Sequence, residues 1–254
     1  MMQPKEAIND FVIKFANVNG TGSASANGMF AKAIFRMGIP VSPRNIFPSN
    51  IQGLPTWYEV RISQDGYLGR RGGIDMMVSV NPQSFAKDVG EVEPGGYMLY
   101  DSTKPLDLRH VRRDIHYLGI PLTEMCLREY TDSRQRQLFK NVIYVGALSA
   151  LLNIDFSILK DLVSEQFKGK EKLITPNIHA LEMGHQFAST HFECPLGIQL
   201  KAGEQTPKHI KEFDQILMDG NTATALGAVY ALSLIHISEP TRPRLISYAV
   251  FCLK

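Results

Sequence analysis

The chain has 254 residues, enough for one large or two small domains, and 44% of them are hydrophobic against 20% charged, the composition of a protein that buries a core. A formal net charge of +2 is too small to argue for nucleic acid or an anionic membrane as partner. The N-terminus, MMQPKEAINDF, lacks a signal-peptide core, and the longest apolar run, 142–152, is about half of a membrane span. Cys126, Cys194 and Cys252 stand apart, with no disulfide framework and no C-x-x-C cluster motif. A reducing, cytoplasmic setting is the expectation.

In chain order, Phe11 to Val18 is a β-favouring apolar run that predicts a strand buried on both faces. Asn19, Gly20, Thr21, Gly22 and Ser23 follow as a tight turn of small residues. A helix then carries Met29, Phe30, Ala33, Ile34 and Met37 at helical spacing, with Gly38 and Pro40 as stop signals. Amide groups at such a helix start favour an anion. No Asp or Glu occurs from Phe11 to Tyr58, while Lys14, Lys32, Arg36 and Arg44 do. Ser25 stands where a dinucleotide fingerprint has its third glycine, and no acid follows to hold a ribose. The turn therefore suits a phosphate or carboxylate better than NAD. A close-packed turn that binds nothing is the competing reading.

Beyond it, Pro43, Pro48 and Pro55 exclude a long helix, and Thr56 to Ser63 is a strand candidate. Trp57 next to Tyr58, beside a loop with Gln52, is either a binding surface or a core anchor. The turn YLGRRGG presents Arg70 and Arg71, usually solvated but suited to phosphates. Strands are expected at Asp75–Val80, Gly96–Tyr100 and Asp114–Ile120, with a short helix at Ser84–Val89. This alternation predicts an α/β fold with a mainly parallel sheet flanked by helices. Ser133 to Leu152 and a helix capped by Asp155 and stopped at Gly169 should cover it. Thr175 or Asn177 opens, or lies early in, a third helix that reaches about Phe192. Its His179, His185 and His191 are six residues apart, a rotation of about 240° per step, so they face three directions and cannot share an ion. No hydrolase triad surrounds His110 or His116.

Pro195, Gly197, Gly203 and Pro207 mark a linker. Asp219-Gly220-Asn221 then caps a small-residue helix that reads as the start of a second domain. From Leu232 the pattern breaks. LSLIHISEPTR and ISYAVFCLK resemble the translation of a sequencing-library adapter, and residues 232–254 are set aside as an artefactual tail.

Long blocks of the remainder resemble one family. FANVNGTGSASANGMFAKAIFRMGIPVSPRNIFPSNIQGLPTWYEVR, GIPLTEMCLREYTDSRQRQLFKNVIYVGAL, EQFKGKEKL and LMDGNTATALGAVYA resemble the α subunit of 2-oxoacid:ferredoxin oxidoreductases with an N-terminally fused γ domain. The resemblance implies a γ domain over residues 9–192, a linker over 193–212 and the first helix of a truncated thiamine-enzyme domain over 213–231. It implies oxidative decarboxylation of a 2-oxoacid to an acyl-coenzyme A, with electrons passed to ferredoxin. Thiamine diphosphate, Mg²⁺ and the iron–sulfur clusters would belong to the full complex with a β subunit, and the chain alone would be inactive. Coenzyme A is the ligand implied for the γ domain, its phosphate meeting Asn19, Gly20, Thr21, Gly22 and Ser23 with Arg44 or Arg70 as helpers. A non-catalytic assembly domain and a nucleotide-dependent dehydrogenase are the alternatives.

Overall fold

A computed structural model describes residues 3–18, 20–47, 54–202 and 216–231. Asn19, the loop at 48–53 with Gln52, and the tail at 232–254 lie outside the described residues. Two compact units separate near residue 213.

The first unit is built on a six-stranded sheet. Its strands are β2 (Asp10–Val18), β3 (Val41–Ile46), β4 (Pro55–Ser63), β5 (Ile74–Ser79), β6 (Val92–Asp101) and β7 (His116–Ile120), in the order β3-β4-β2-β5-β6-β7. β2, β5, β6 and β7 run parallel, and β4 is antiparallel to both β2 and β3. The sheet is thus mostly parallel, as expected, with an antiparallel hairpin at one side. β3 adds to the expected strands, and Pro43, which excludes a long helix, does not exclude a strand. It is tolerated on an edge strand, where a missing N–H leaves no gap in the ladder. A short strand β1 (Ala7–Ile8) pairs in parallel with β8 (Ile198–Gln199).

Alternation along β2 sends Phe11, Ile13 and Phe15 to one face and Val12, Lys14 and Ala16 to the other. Helices α1 (Ser23–Arg36), α4 (Ser133–Leu151), α5 (Phe156–Gln166) and α6 (Glu171–His191) form the layer over the first face. There Phe15 packs on Phe30 of α1 at 5.2 Å between ring centroids and on Tyr144 of α4 at 5.8 Å. α4 and α6 cross at backbone contact. A Cβ on Gly184 would fall on the carbonyl oxygen of Ile143, and one on Gly146 on that of Leu181.

α2 (Phe85–Glu91) lies on the second face, over Val12, Met77 and Met98. Helix α3 (Leu122–Glu129) links β7 to α4. α6 starts at Glu171, so Thr175 and Asn177 lie early in it, and it carries Pro176 inside. The segment after α6, read from its prolines and glycines as linker, is packed: Leu196, Ile198 and Leu200 are buried, and the Leu196 and Leu200 amides donate to Leu151 and Leu152. In the second unit, helix α7 (Gly220–Tyr230) starts at Asp219, whose carboxylate accepts from the Thr222 amide at 2.9 Å.

Candidate functional site

In an open α/β sheet, ligands gather outside the carboxyl ends of the strands, where the winding changes direction. Here the chain leaves β2 through α1 toward β3 on one side, then returns to β5 on the other, so the change falls between β2 and β5. The glycine turn occupies that place.

The turn is built from unusual backbone. Gly20 and Gly22 have φ of 82° and 78°, values that a side chain would strain. Gly22 is the residue before α1, no side chain among the described residues caps that helix, and no acid stands in its first turn. The first amides of α1 therefore keep their donor capacity and the positive end of the helix dipole. The Thr21 hydroxyl is spent on the Val18 carbonyl at 2.8 Å. Ser23 is buried, and Ser25 accepts from Gln166 at 2.7 Å. What the turn offers a ligand is main chain.

α4 holds the turn in place. Asn141 donates to the Thr21 carbonyl at 2.8 Å, and the Tyr144 hydroxyl donates to Asn27 at 2.7 Å. Burial pushes the Tyr144 phenol far up, so it stays a donor. Leu138 packs on one flank of the turn, where a Cβ on Gly22 would strike it, while the space beside Gly20 is open. A cavity of about 220 Å³ adjoins, walled by Gly22, Ser25, Met29, Leu138, Val142 and Phe167. Sequence reasoning missed Asn141 and Leu138. The signal was an amide side chain set within the apolar stripe of α4.

Of the expected residues, the structure brings Gly20, Thr21, Gly22 and Ser23 together at the carboxyl edge. Arg44 and Arg70 it places elsewhere. Glu59 lies opposite Arg44 in the β3–β4 register. Arg70 pairs with Glu59 through Nε at 3.0 Å and Nη2 at 3.1 Å. Glu59 is opposite Lys14, four residues before Val18, which puts the group about 13 Å down the sheet at about 3.3 Å per residue. It is also on the face away from α1. The two arginines stand away from the turn: strand alternation sets Arg44 on the other face, and Arg70, in the loop between β4 and β5, is drawn there by Glu59. Arg71 is likewise engaged, with Asp75.

Trp57 packs beside the core cluster of the second face and donates through Nε1 to Asp88 at 2.8 Å. Asp88 also accepts from Ser79 at 2.8 Å and Ser84 at 2.7 Å. The histidines of α6 each have a separate partner: Glu129 for His179, Ser149 for His185 and the Phe187 carbonyl for His191. Among the described residues no group of three His, Cys, Asp or Glu is placed to hold a metal. Cys126 is buried, and burial pushes its thiol up to about 11. Neither it nor Cys194 has the thiolate company that an iron–sulfur cluster needs.

Comparison with known proteins gives a consistent picture. A family model described as pyruvate ferredoxin/flavodoxin oxidoreductase matches residues 12–187. The chain is 23% identical over 223 residues to 2-oxoacid:ferredoxin oxidoreductase 2, subunit alpha, of Aeropyrum pernix, covering 73% of this chain and 35% of that one. It is 24% identical over 176 residues to the 2-oxoglutarate synthase subunit KorC of Archaeoglobus fulgidus, covering 68% of this chain and 88% of that subunit. In structure it resembles the 2-oxoglutarate:ferredoxin oxidoreductase of Magnetococcus marinus, solved with 2-oxoglutarate, coenzyme A and succinyl-CoA bound. The TM-score is 0.76 at 22% identity, over 96% of this chain and 41% of that one. The chain thus spans less than half the length of the Aeropyrum subunit and of the Magnetococcus chain.

Proposed function

Since the chain belongs to the pyruvate ferredoxin/flavodoxin oxidoreductase family, we propose that it is the γ-type portion, with the start of the thiamine portion, of an α subunit that oxidatively decarboxylates a 2-oxoacid to an acyl-coenzyme A. Electrons pass to ferredoxin in that reading. In that reading thiamine diphosphate, Mg²⁺ and the iron–sulfur clusters belong to the rest of the assembly and to a β subunit, in keeping with the lack of a three-ligand metal group among the described residues. The chain by itself is expected to show no turnover.

The role proposed for this portion is to hold coenzyme A by a phosphate at residues 19–23. The observation that carries it is the uncapped, acid-free start of α1 at the switch between β2 and β5. The apolar cavity next to Gly22 supports it, since the ligand joins a charged end to a less polar arm. Arg44 and Arg70 have no part in this version, Arg70 being held at Glu59 and Arg44 standing at the Glu59 level of the sheet. The amides would orient the phosphate, and Leu138 would close one side of the turn against water.

Titrating coenzyme A into the chain, with pantetheine and NADH as controls, tests the reading. Coenzyme A should bind, and pantetheine, lacking the phosphates, should bind at least about tenfold more weakly, a difference of about 1.4 kcal/mol. Gly20→Ala should weaken coenzyme A binding, because φ of 82° disfavours a side chain there. Absence of binding up to about 1 mM, a free energy of only about 4 kcal/mol, would leave the assembly role as the better reading. Binding of NADH would bring back the dehydrogenase.

A further inference from the structure

The two edges of the sheet are finished differently. β3 carries Pro43 and the exposed Arg44, which discourage another chain from pairing there. β7, at the opposite edge, reads His-Tyr-Leu-Gly-Ile and contains no proline and no Asp, Glu, Lys or Arg. Its free groups can be assigned. Ile120 sits opposite Asp101, and its carbonyl accepts from the Ser102 amide at 2.9 Å. In a parallel ladder that phase directs the peptide groups of His116, Leu118 and Ile120 at β6. The N–H and C=O groups of Tyr117 and Gly119 then point outward. Among the described residues nothing pairs with them.

Beside this edge runs a groove of about 1100 Å³. β7 forms one wall, and β1 with the segment 192–199 forms the other. Ile8, Leu118, Phe192 and Leu196 give it apolar patches in a lining that is otherwise largely polar, and its only ionised lining groups among the described residues are Glu6 and Glu193. The His116 ring lies tilted beside Tyr97 at 5.5 Å between centroids, with its Nε2 buried and unpartnered among the described residues.

We infer that β7 is a pairing edge for an extended segment of a separate subunit, apolar at alternate positions and carrying Lys or Arg toward Glu6 and Glu193. The inference rests on the reading above, in which the chain works beside another subunit. Main-chain bonds to Tyr117 and Gly119 supply the grip, and the groove takes every second side chain. A second copy of this chain fits worse. Two β7 edges meeting about a two-fold axis would gather Glu6 and Glu193 of both copies along one seam with no cation between them.

The test is amide hydrogen exchange on the chain alone and on the chain co-expressed with its β subunit. In the complex, the Tyr117 and Gly119 amides should exchange at least about tenfold more slowly than in the free chain. Glu6→Lys with Glu193→Lys should weaken capture of the β subunit by about tenfold or more while leaving the thermal midpoint of the free chain unchanged. A complex in which both amides exchange as fast as in the free chain overturns the docking edge and leaves the proposed function standing. Failure to form any complex overturns both. Protection that grows with the concentration of the chain alone assigns the edge to a second copy and overturns the inference.

Discussion

Lys14 and Phe15 are neighbours in β2 and are both buried, yet they enter different surroundings. Phe15 points into aromatic rings beneath α1 and α4. Lys14 points to a face where ion pairs and hydrogen bonds surround a smaller apolar band. It pairs with Glu91, and nearby Arg61 pairs with Asp10, Glu59 with Arg70, and Asp75 with Lys5 and Arg71. Burying an apolar side chain contributes about 1.5–3 kcal/mol, whereas a buried ion pair comes close to cancelling its own desolvation. The first face should therefore carry the stability. The second should carry position: Arg70 and Arg71 tie the loop between β4 and β5, and Glu91 ties the end of α2.

The largest expected effect tests the first face at its tightest point. Gly184→Ala puts a methyl group against the main chain of α4, which cannot turn aside as a side-chain tip can. The helices must part, with a loss of about 3 kcal/mol or more in urea unfolding, provided the protein still folds. An unchanged midpoint would show that the α4–α6 crossing is looser than drawn here.

Next comes the direct contrast within β2. Phe15→Ala should cost about 3–5 kcal/mol, as a buried ring is lost and a cavity is left. Lys14→Met should cost only about 1–2 kcal/mol, because Glu91 retains partial exposure and can turn to water. Adding Glu91→Leu should recover most of that loss, since an apolar pair can replace a buried ion pair without penalty. Equal losses for Phe15→Ala and Lys14→Met would erase the distinction between the faces.

The same contrast decides what could be read from sequence. β2, the glycine turn and α1 were legible because apolar period, glycine conformation and helix stop signals agree locally. Asp155 and Asp219 were legible as caps for the same reason, and each accepts the expected amide. The destinations of Arg44 and Arg70 were not. They depend on the antiparallel pairing of β4 with both β2 and β3, a non-local fact, and on a two-residue alternation that puts Glu59 on their side. Pro43 excluded a long helix but gave no sign of the edge strand that tolerates it. The backbone contact of Gly146 with α6 left no trace beyond a glycine in an apolar run.

A smaller effect sharpens the second face through its one fluorophore. Trp57 is the only tryptophan and donates to Asp88. Burial raises the Asp88 carboxyl above its ordinary value, with the bonds from Trp57, Ser84 and Ser79 pulling the other way. The folded state then binds the proton more tightly than the unfolded state. Asp88 thus favours folding at low pH, and that contribution falls as pH rises from the ordinary carboxylate range of about 3.9 through the raised value. Tryptophan emission should titrate in that window, and Asp88→Asn should remove the titration. Flat emission across the window would mean that Asp88 does not change charge there.

The smallest effect belongs to an ion pair outside both faces. Arg36 of α1 meets Glu165 of α5 in a two-pronged contact, one prong at 3.0 Å. The guanidinium bond holds the Glu165 carboxyl below its ordinary value. Any stabilisation is therefore present above the usual carboxylate range and lost as pH falls through the lowered value. Both side chains stand in water, where the cost of ordering them offsets the attraction. Arg36→Ala should leave the unfolding midpoint unchanged within error near neutral pH. At an ionic strength of about 1 M, where the Debye length is about 3 Å, wild type and variant should coincide. A clear loss at low salt that disappears at high salt would show that α5 is held to α1 by charge, which would move part of the first layer into the regime of the second face.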